Sequence, residues 1–347
     1  MSDPAPIDAV IAWVDGTDPA HAAKRAQYLP FETGRSKAGS DATRFDQSGE
    51  IYICLASILA NMPYVRTIWI VTDGQTPECL PDFARDGVCA PDRIRIVDHA
   101  ALFADRPEIL PVFNSRTIET LLWRIPGLAE TYVYFNDDFF VNRPQPADRF
   151  FRNGTPVIAG AWKSMILRRL SEGAKDLVSR IAGRGRRDRP AFETAVVRGA
   201  RMAGYRTRYL RLDHWPHPLR IGPQRDWYAA NPDVLRAQVS HRFRNRAQFN
   251  PVSLAYHLER PDRVAPPHKV TNVNERREER VSAWLAEIAE GRTDFVVLQG
   301  LDRMDPASRS AILAGCAEKF RATLPAAAFD RLAGGQGSPG APLSVSP

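Results

Sequence analysis

The run with the most chemical potential is Tyr134-Phe135-Asn136-Asp137-Asp138. Two adjacent carboxylates with an amide beside them supply hard oxygen ligands. Magnesium or manganese takes that set and keeps positions open for a diphosphate. A bare Asn-Asp-Asp also occurs in ordinary turns, so its place directly after an apolar strand is what points to a metal. Trp13-Val14-Asp15-Gly16-Thr17-Asp18 is a second candidate. Gly16 lets the backbone approach a ligand, and Asp15 can accept hydrogen bonds from ribose hydroxyls or a base. Asp73-Gly74 ends another apolar run in the same way. In Asn114-Ser115, Ser115 is placed to cap a helix, and Asn114 and Ser115 are candidates to touch substrate. Glu119 follows on that helix and can face the same pocket as the metal. His214-Trp215-Pro216-His217-Pro218 holds two imidazoles on a proline-stiffened backbone. An imidazole can take a proton from a hydroxyl near neutral pH, or simply pack in a loop. In His241-Arg242-Phe243-Arg244, a guanidinium can clamp phosphate oxygens bidentately.

These residues need a frame. Ile7–Val14, Thr67–Thr72, Ile94–Val97 and Thr131–Phe135 are short apolar runs rich in β-branched or aromatic residues. Each is ended by an acidic or small polar residue. Glu50–Met62 and Ser115–Arg124 lie between them with helical spacing. The alternation predicts an α/β fold with a mostly parallel sheet flanked by helices. In such sheets ligands bind beyond the carboxyl ends of the strands. Asp15, Asp73, Asp98, Asp137 and Asp138 would then gather along one edge. Residues 151–330 read as a helical, irregular second lobe broken by Pro-rich turns, with one more strand at Asp294–Gln299 and a last helix at Pro306–Leu324. Residues 1–150 read as the α/β part, whose strand ends are the candidates to bind a nucleotide and a metal. The Gly/Pro/Ser-rich residues 334–347 read as a flexible tail.

Composition narrows the class. With 44% hydrophobic and 25% charged residues, the 347-residue chain has an ordinary globular balance. No run of about 18 apolar residues is present, and no basic leader precedes the first apolar run, so neither a membrane span nor a secretory signal is expected. Four cysteines without CxxC spacing read as reduced, packed thiols in a cytoplasmic protein, with no zinc site. The net charge is +7, and residues 163–211 hold 14 Lys/Arg against 4 Asp/Glu. That basic segment, including Arg184, Arg186 and Arg187, is either a solvated surface or an anion-attracting one that tunes acceptor binding or peripheral contact at the inner face of a membrane. It has few interleaved aromatics, and the acidic strand ends would repel a polyanion, which speaks against nucleic acid.

Taken in order, the motifs resemble the Stealth family, which includes bacterial capsule phosphotransferases. The resemblance rests on Ile7–Pro19, on a block running from Arg44-Phe45 through Ile70–Gln75 and Leu110–Glu119 to Tyr134–Phe140, on His214–Leu219 with Phe243-Arg244, and weakly on Phe295–Gln299. It implies a fold like that of nucleotide-sugar transferases of the GT-A type. It also implies transfer of a hexose-1-phosphate, such as GlcNAc-1-phosphate, from a UDP-sugar to a glycan or polysaccharide hydroxyl, with release of UMP. The family's catalytic positions fall on Glu119, Asp138, His214 and Arg244, with Asp137 beside Asp138 in the metal motif. Arg116 stands where similar proteins usually carry His, and Gln299-Gly300 where an Asn-Asp pair is expected. The alternative is a metal-dependent glycosyltransferase that attacks the anomeric carbon and releases UDP.

Overall fold

A computed structural model describes residues 5–29, 48–171 and 192–334. Arg44-Phe45, the middle of the basic segment with Arg184, Arg186 and Arg187, and residues 335–347 lie outside the described residues.

Four of the five strands in the main sheet are the apolar runs read from sequence: β1 (Ile7–Ala12), β2 (Val65–Thr72), β3 (Ile94–Asp98) and β4 (Thr131–Asn136). They pair in parallel, β4-β1-β2-β3. Both faces are covered. Ala9 and Ile11 of β1 enter one core cluster and Val10 the other, which is why the run is apolar throughout rather than alternating. β5 (Phe139–Val141) begins a second sheet. A small hairpin, β6 (Phe151–Arg152) and β7 (Thr155–Pro156), follows, and β8 (Ala161–Ser164) pairs with β9 (Arg208–Arg211). The Pro-rich segment read as a turn contains β10 (His217–Arg220), antiparallel to β4 at the edge of the main sheet. Pro218 is tolerated there because an edge strand leaves one row of N–H groups unpaired. The second sheet is completed by β11 (Val270–Asn274) and β12 (Phe295–Gln299), in the order β11-β12-β5.

The helix Glu50–Asn61 is buried on nearly all sides and packs between the sheets. Asn61 Nδ2 donates to Val141 O (2.7 Å), and Val141 N donates to Ser57 Oγ (3.0 Å), which fixes β5 on that helix. The core on this face mixes early and late residues, among them Ile51, Leu55, Phe140, Trp284, Phe295, Cys316 and Leu332. Beyond the helix Pro306–Lys319, a helix at Ala326–Ala333 that the sequence pattern did not signal buries Ala328 and Leu332. The four cysteines are free thiols. Among the described residues no helix is long and apolar enough to cross a membrane.

The amino end of β1 is held by Asp8, which is wholly buried. Its carboxylate accepts from Arg66 Nε (3.0 Å) and Nη2 (2.7 Å), Thr67 N (3.2 Å), Trp69 Nε1 (2.9 Å) and Ala129 N (2.8 Å). One side chain thus locks β1 to β2 and to the loop entering β4. Asp8→Ala leaves buried donors unpaired at about 1–3 kcal/mol each. We predict a loss of about 3 kcal/mol in urea unfolding, with no change in denaturant slope. A loss well under about 1 kcal/mol would show that water replaces the carboxylate.

Candidate functional site at the strand ends

The strand order reverses between β1 and β4. From β1 the sheet grows to β2 and β3 on one side and to β4 on the other. Such a switch point opens a crevice at the carboxyl ends of the two strands. Asp137 and Asp138 are there, in the two-residue turn from β4 into β5, and Leu298 N donates to Asp138 O (2.9 Å) from β12. The acidic pair therefore sits where the two sheets meet. Asp138 Oδ1 is buried with no hydrogen-bond partner. Burial first, then repulsion from Asp137 and Glu50, holds the Asp138 carboxyl well above the ordinary carboxylate range. Beneath it, burial and the same two aspartates push the Cys54 thiol up. An orphaned carboxylate oxygen in a crowd of negative charge fits a divalent cation. Among the described residues no group of three or more His, Cys, Asp or Glu is arranged to cage a metal. Two carboxylates with open positions suit magnesium, which keeps water or phosphate oxygens.

The second wall is the helix Ser115–Glu119, capped by Asn114 rather than by Ser115. Asn114 Oδ1 accepts from Arg116 N (3.2 Å). Its Nδ2 lies 2.8 Å from Gln248 Oε1, 3.0 Å from Phe243 O and 3.1 Å from His241 O. Asn114 is buried, so its role is to join this helix to the 241–248 segment rather than to touch substrate. Phe113 stacks on Phe243 at 5.2 Å, and Val14 packs against the pair. The junction sets Arg244 on the site: its Nη2 donates to Ser115 Oγ (2.8 Å), and burial lowers its pKa while Glu119 and Tyr134 oppose that shift. Tyr134 Oη lies 3.2 Å from Glu119 Oε1 and 2.9 Å from Asn136 Oδ1. It bridges the helix to the acidic turn. Nothing local in the sequence marked this role; only the β4 register turns Tyr134 to that face.

His214 packs edge-on against Phe139, the residue after Asp138, and stacks on Phe192. Partial burial lowers its pKa and neighbouring Asp213 opposes the shift. His217 is placed differently. It is buried in β10, its Nδ1 is 2.9 Å from Tyr256 Oη, and burial drives its pKa down to about 3. It packs the sheet rather than binding substrate. Asp15 turns Oδ1 back onto Thr17 N (2.8 Å) and Oγ1 (2.6 Å), with Gly16 inside that turn. Gln75, which the sequence did not single out, accepts from Asp15 N and donates to Asp15 O, both at 2.9 Å, tying the β1 and β2 ends together. Asp73 ion-pairs with Lys24 (3.3 Å), and Asp98 accepts from Gly74 N (2.6 Å) and Ala100 N (2.7 Å). Asp138, Asp137, Asp15, Asp73 and Asp98 follow the strand order along one edge. A cavity of about 930 Å³ runs along β11, lined by Val270, Thr271, Asn274, Arg280, Thr293 and Gln299 among others, and none of the candidate site residues lines it.

The class is thus a mostly parallel α/β sheet covered on both faces, with a carboxylate pair at its switch point, the place where open α/β sheets bind their ligands. Residues 5–30 match Stealth protein CR1, conserved region 1, and residues 44–158 match Stealth protein CR2, conserved region 2. Over these two regions the chain is similar to Stealth proteins. Asp15, Glu119, Asp137 and Asp138 lie in the matched regions; His214 and Arg244 lie beyond them. The chain is 39% identical over 161 residues to capsular polysaccharide phosphotransferase cps1A of Actinobacillus pleuropneumoniae, covering 46% of this chain and 42% of the relative. It is 41% identical over 150 residues to an exopolysaccharide phosphotransferase of Streptomyces coelicolor, covering 43% and 24%. It is 36% identical over 163 residues to capsular polysaccharide phosphotransferase LcbA of Neisseria meningitidis, covering 47% and 42%. The match thus spans less than half the length of each of these relatives. Among solved structures, the galactosyltransferase LgtC in complex with donor and acceptor sugar analogues aligns over 91% of this chain and 95% of its own, at TM-score 0.41 and 11% identity.

Asn114→Ala removes the cap and the link to the 241–248 segment together. A lost cap costs about 1 kcal/mol and each buried group left unpaired about 1–3 kcal/mol. We predict a loss of at least about 2 kcal/mol in unfolding free energy. An Asn114→Ala protein as stable as wild type would remove Asn114 as the joint.

Proposed function

We propose that this chain is a metal-dependent sugar-1-phosphate transferase that moves a hexose-1-phosphate from a UDP-sugar, of the UDP-GlcNAc type, to a glycan hydroxyl. The observation that carries the reading is the bridge at Tyr134. One hydroxyl touches both Glu119 and Asn136, so a carboxylate, an acidic turn and the Arg244 guanidinium converge at the switch point. The phosphotransferase names of the relatives support the same class.

Asp137 and Asp138 would hold magnesium or manganese, which supplies positive charge to diphosphate oxygens when bound. Arg244, steadied by Ser115, is placed to clamp a phosphoryl oxygen, since such transfer depends chiefly on positioning and electrostatic stabilisation. Glu119 orients Arg244 and Tyr134. His214 takes the proton of the acceptor hydroxyl as that oxygen bonds to the sugar-bearing phosphorus. The bond from this phosphorus to the bridging oxygen breaks, and UMP leaves.

With UDP-GlcNAc and an oligosaccharide acceptor, the nucleotide product should be UMP. Release of UDP would replace this reading with the glycosyltransferase one. Chelation should stop turnover and added magnesium or manganese restore it. The Asp138→Asn protein should fold yet stay inactive, and substantial turnover by it would remove the metal assignment. The lowered pKa of His214 sets the pH dependence. As a base it must be neutral, so kcat should rise with pH through an apparent pKa below about 6.5. His214→Ala should abolish that limb and lower kcat by about 10²–10⁴-fold. A mutant that keeps the limb would exclude His214 as the base.

A further inference from the structure

On the helix that carries Glu119 lies a basic residue that the reading above does not use. Arg116 is only 3% exposed, yet its Nη1 is buried with no hydrogen-bond partner. Among the described residues no carboxylate pairs with it. Arg244 Nε is likewise buried without a partner, although its Nη2 is held by Ser115. The two guanidiniums belong to one electrostatic cluster. Arg244 exerts the larger like-charge effect on Arg116 and Arg198 a smaller one, and Glu119 acts on both Arg116 and Arg244. Burial and then Arg244 push the Arg116 pKa down to about 10. A buried cation without a counter-charge is costly, because the attraction that would offset desolvation is missing. One carboxylate, Glu119, stands against at least two buried or half-buried guanidiniums with free N–H groups. The backbone holds Arg116 there: its N–H is tied to the Asn114 cap, in the first turn of a helix pinned to the 241–248 segment.

We propose that Arg116 and Arg244 together form a seat for a phosphate-type dianion, beside the acidic pair and separate from it, in which Arg116 contacts the anion directly. On the function proposed above, that anion is a phosphoryl group of the donor diphosphate. Planar forks suit phosphate oxygens, and a dianion satisfies both orphaned guanidiniums at once.

The test uses the full chain, inorganic pyrophosphate as probe and EDTA throughout, so that neither metal nor sugar chemistry enters. Pyrophosphate should bind wild type measurably by calorimetry at low salt. Arg116→Gln should weaken it at least about tenfold, which corresponds to about 1.4 kcal/mol. Arg116→Lys keeps the charge but loses the fork and should fall between. Without anion, Arg116→Gln should melt no lower than wild type, because it removes an unpaired buried charge. Wild-type affinity for pyrophosphate in the Gln protein overturns the inference, as does an absence of binding to wild type. If the Gln protein does not fold, the Lys protein decides, and unchanged affinity there overturns it too. Arg116-dependent pyrophosphate binding in a protein that never releases UMP would keep this seat and remove the proposed reaction. UMP release with pyrophosphate binding indifferent to Arg116 would do the reverse.

Discussion

Only Asp137 and Asp138 separate the last residue of β4 from the first residue of β5, and those strands belong to different sheets. The chain must leave one hydrogen-bonded ladder and enter another within two residues. Their side chains are therefore held where the sheets diverge, and the Leu298 N–H to Asp138 O bond closes the turn from the far sheet. The buried helix Glu50–Asn61 fills the wedge beneath and brings Glu50 and Cys54 under the carboxylates. Water that would stabilise two adjacent charges is displaced by this packing. A carboxylate in that position either keeps a proton or acquires a cation.

Around Glu119 the imbalance has the opposite sign. Arg116 and Arg244 come from segments 128 positions apart in sequence, joined through the Asn114 carboxamide and the stacked Phe113 and Phe243. Glu119 and Tyr134 stand between the two halves. The Asp138 carboxylate keeps a buried oxygen without a donor, and the two guanidiniums keep buried N–H groups without an acceptor. On the proposed function, a metal-bearing diphosphate would answer both in one ligand. Preorganised charge of this kind costs stability in the empty protein and gains effect where water is excluded.

How much could be read in advance follows from how local each feature is. The four parallel strands were legible because burial on both faces makes each an uninterrupted apolar run, and the Asn136-Asp137-Asp138 motif sits in consecutive residues at the end of one. β10 was not legible. Its apolar content is low, and Pro216 and Pro218 signal a turn; only the edge position beside β4 permits a strand there. His217 was a candidate because proline stiffens the segment that carries it, but pairing opposite Tyr134 drives it into the packing against Tyr256. Ser115 and Asn114 are both good caps by type, and the choice fell on Asn114 because its amide also reaches carbonyls more than 120 residues away. Gln75 and Arg116 act through partners distant in sequence, so no spacing rule could mark them.

The two ends of the central strands show the same group in opposite states. Asp8 at the amino end is fully buried and accepts from five donors, so its charge is dispersed into the backbone and Arg66. Asp138 at the carboxyl end keeps a buried oxygen with no donor at all. The difference is geometric. At the amino ends of parallel strands, incoming loops present N–H groups and Arg66 can snorkel to the surface. At the carboxyl ends, carbonyls and acidic turns converge, and few donors are within reach. A saturated carboxylate is a structural clamp. A starved one in the same sheet persists only because the surrounding packing over-determines it, and such unsatisfied groups are where a fold departs from local consistency for the sake of a ligand.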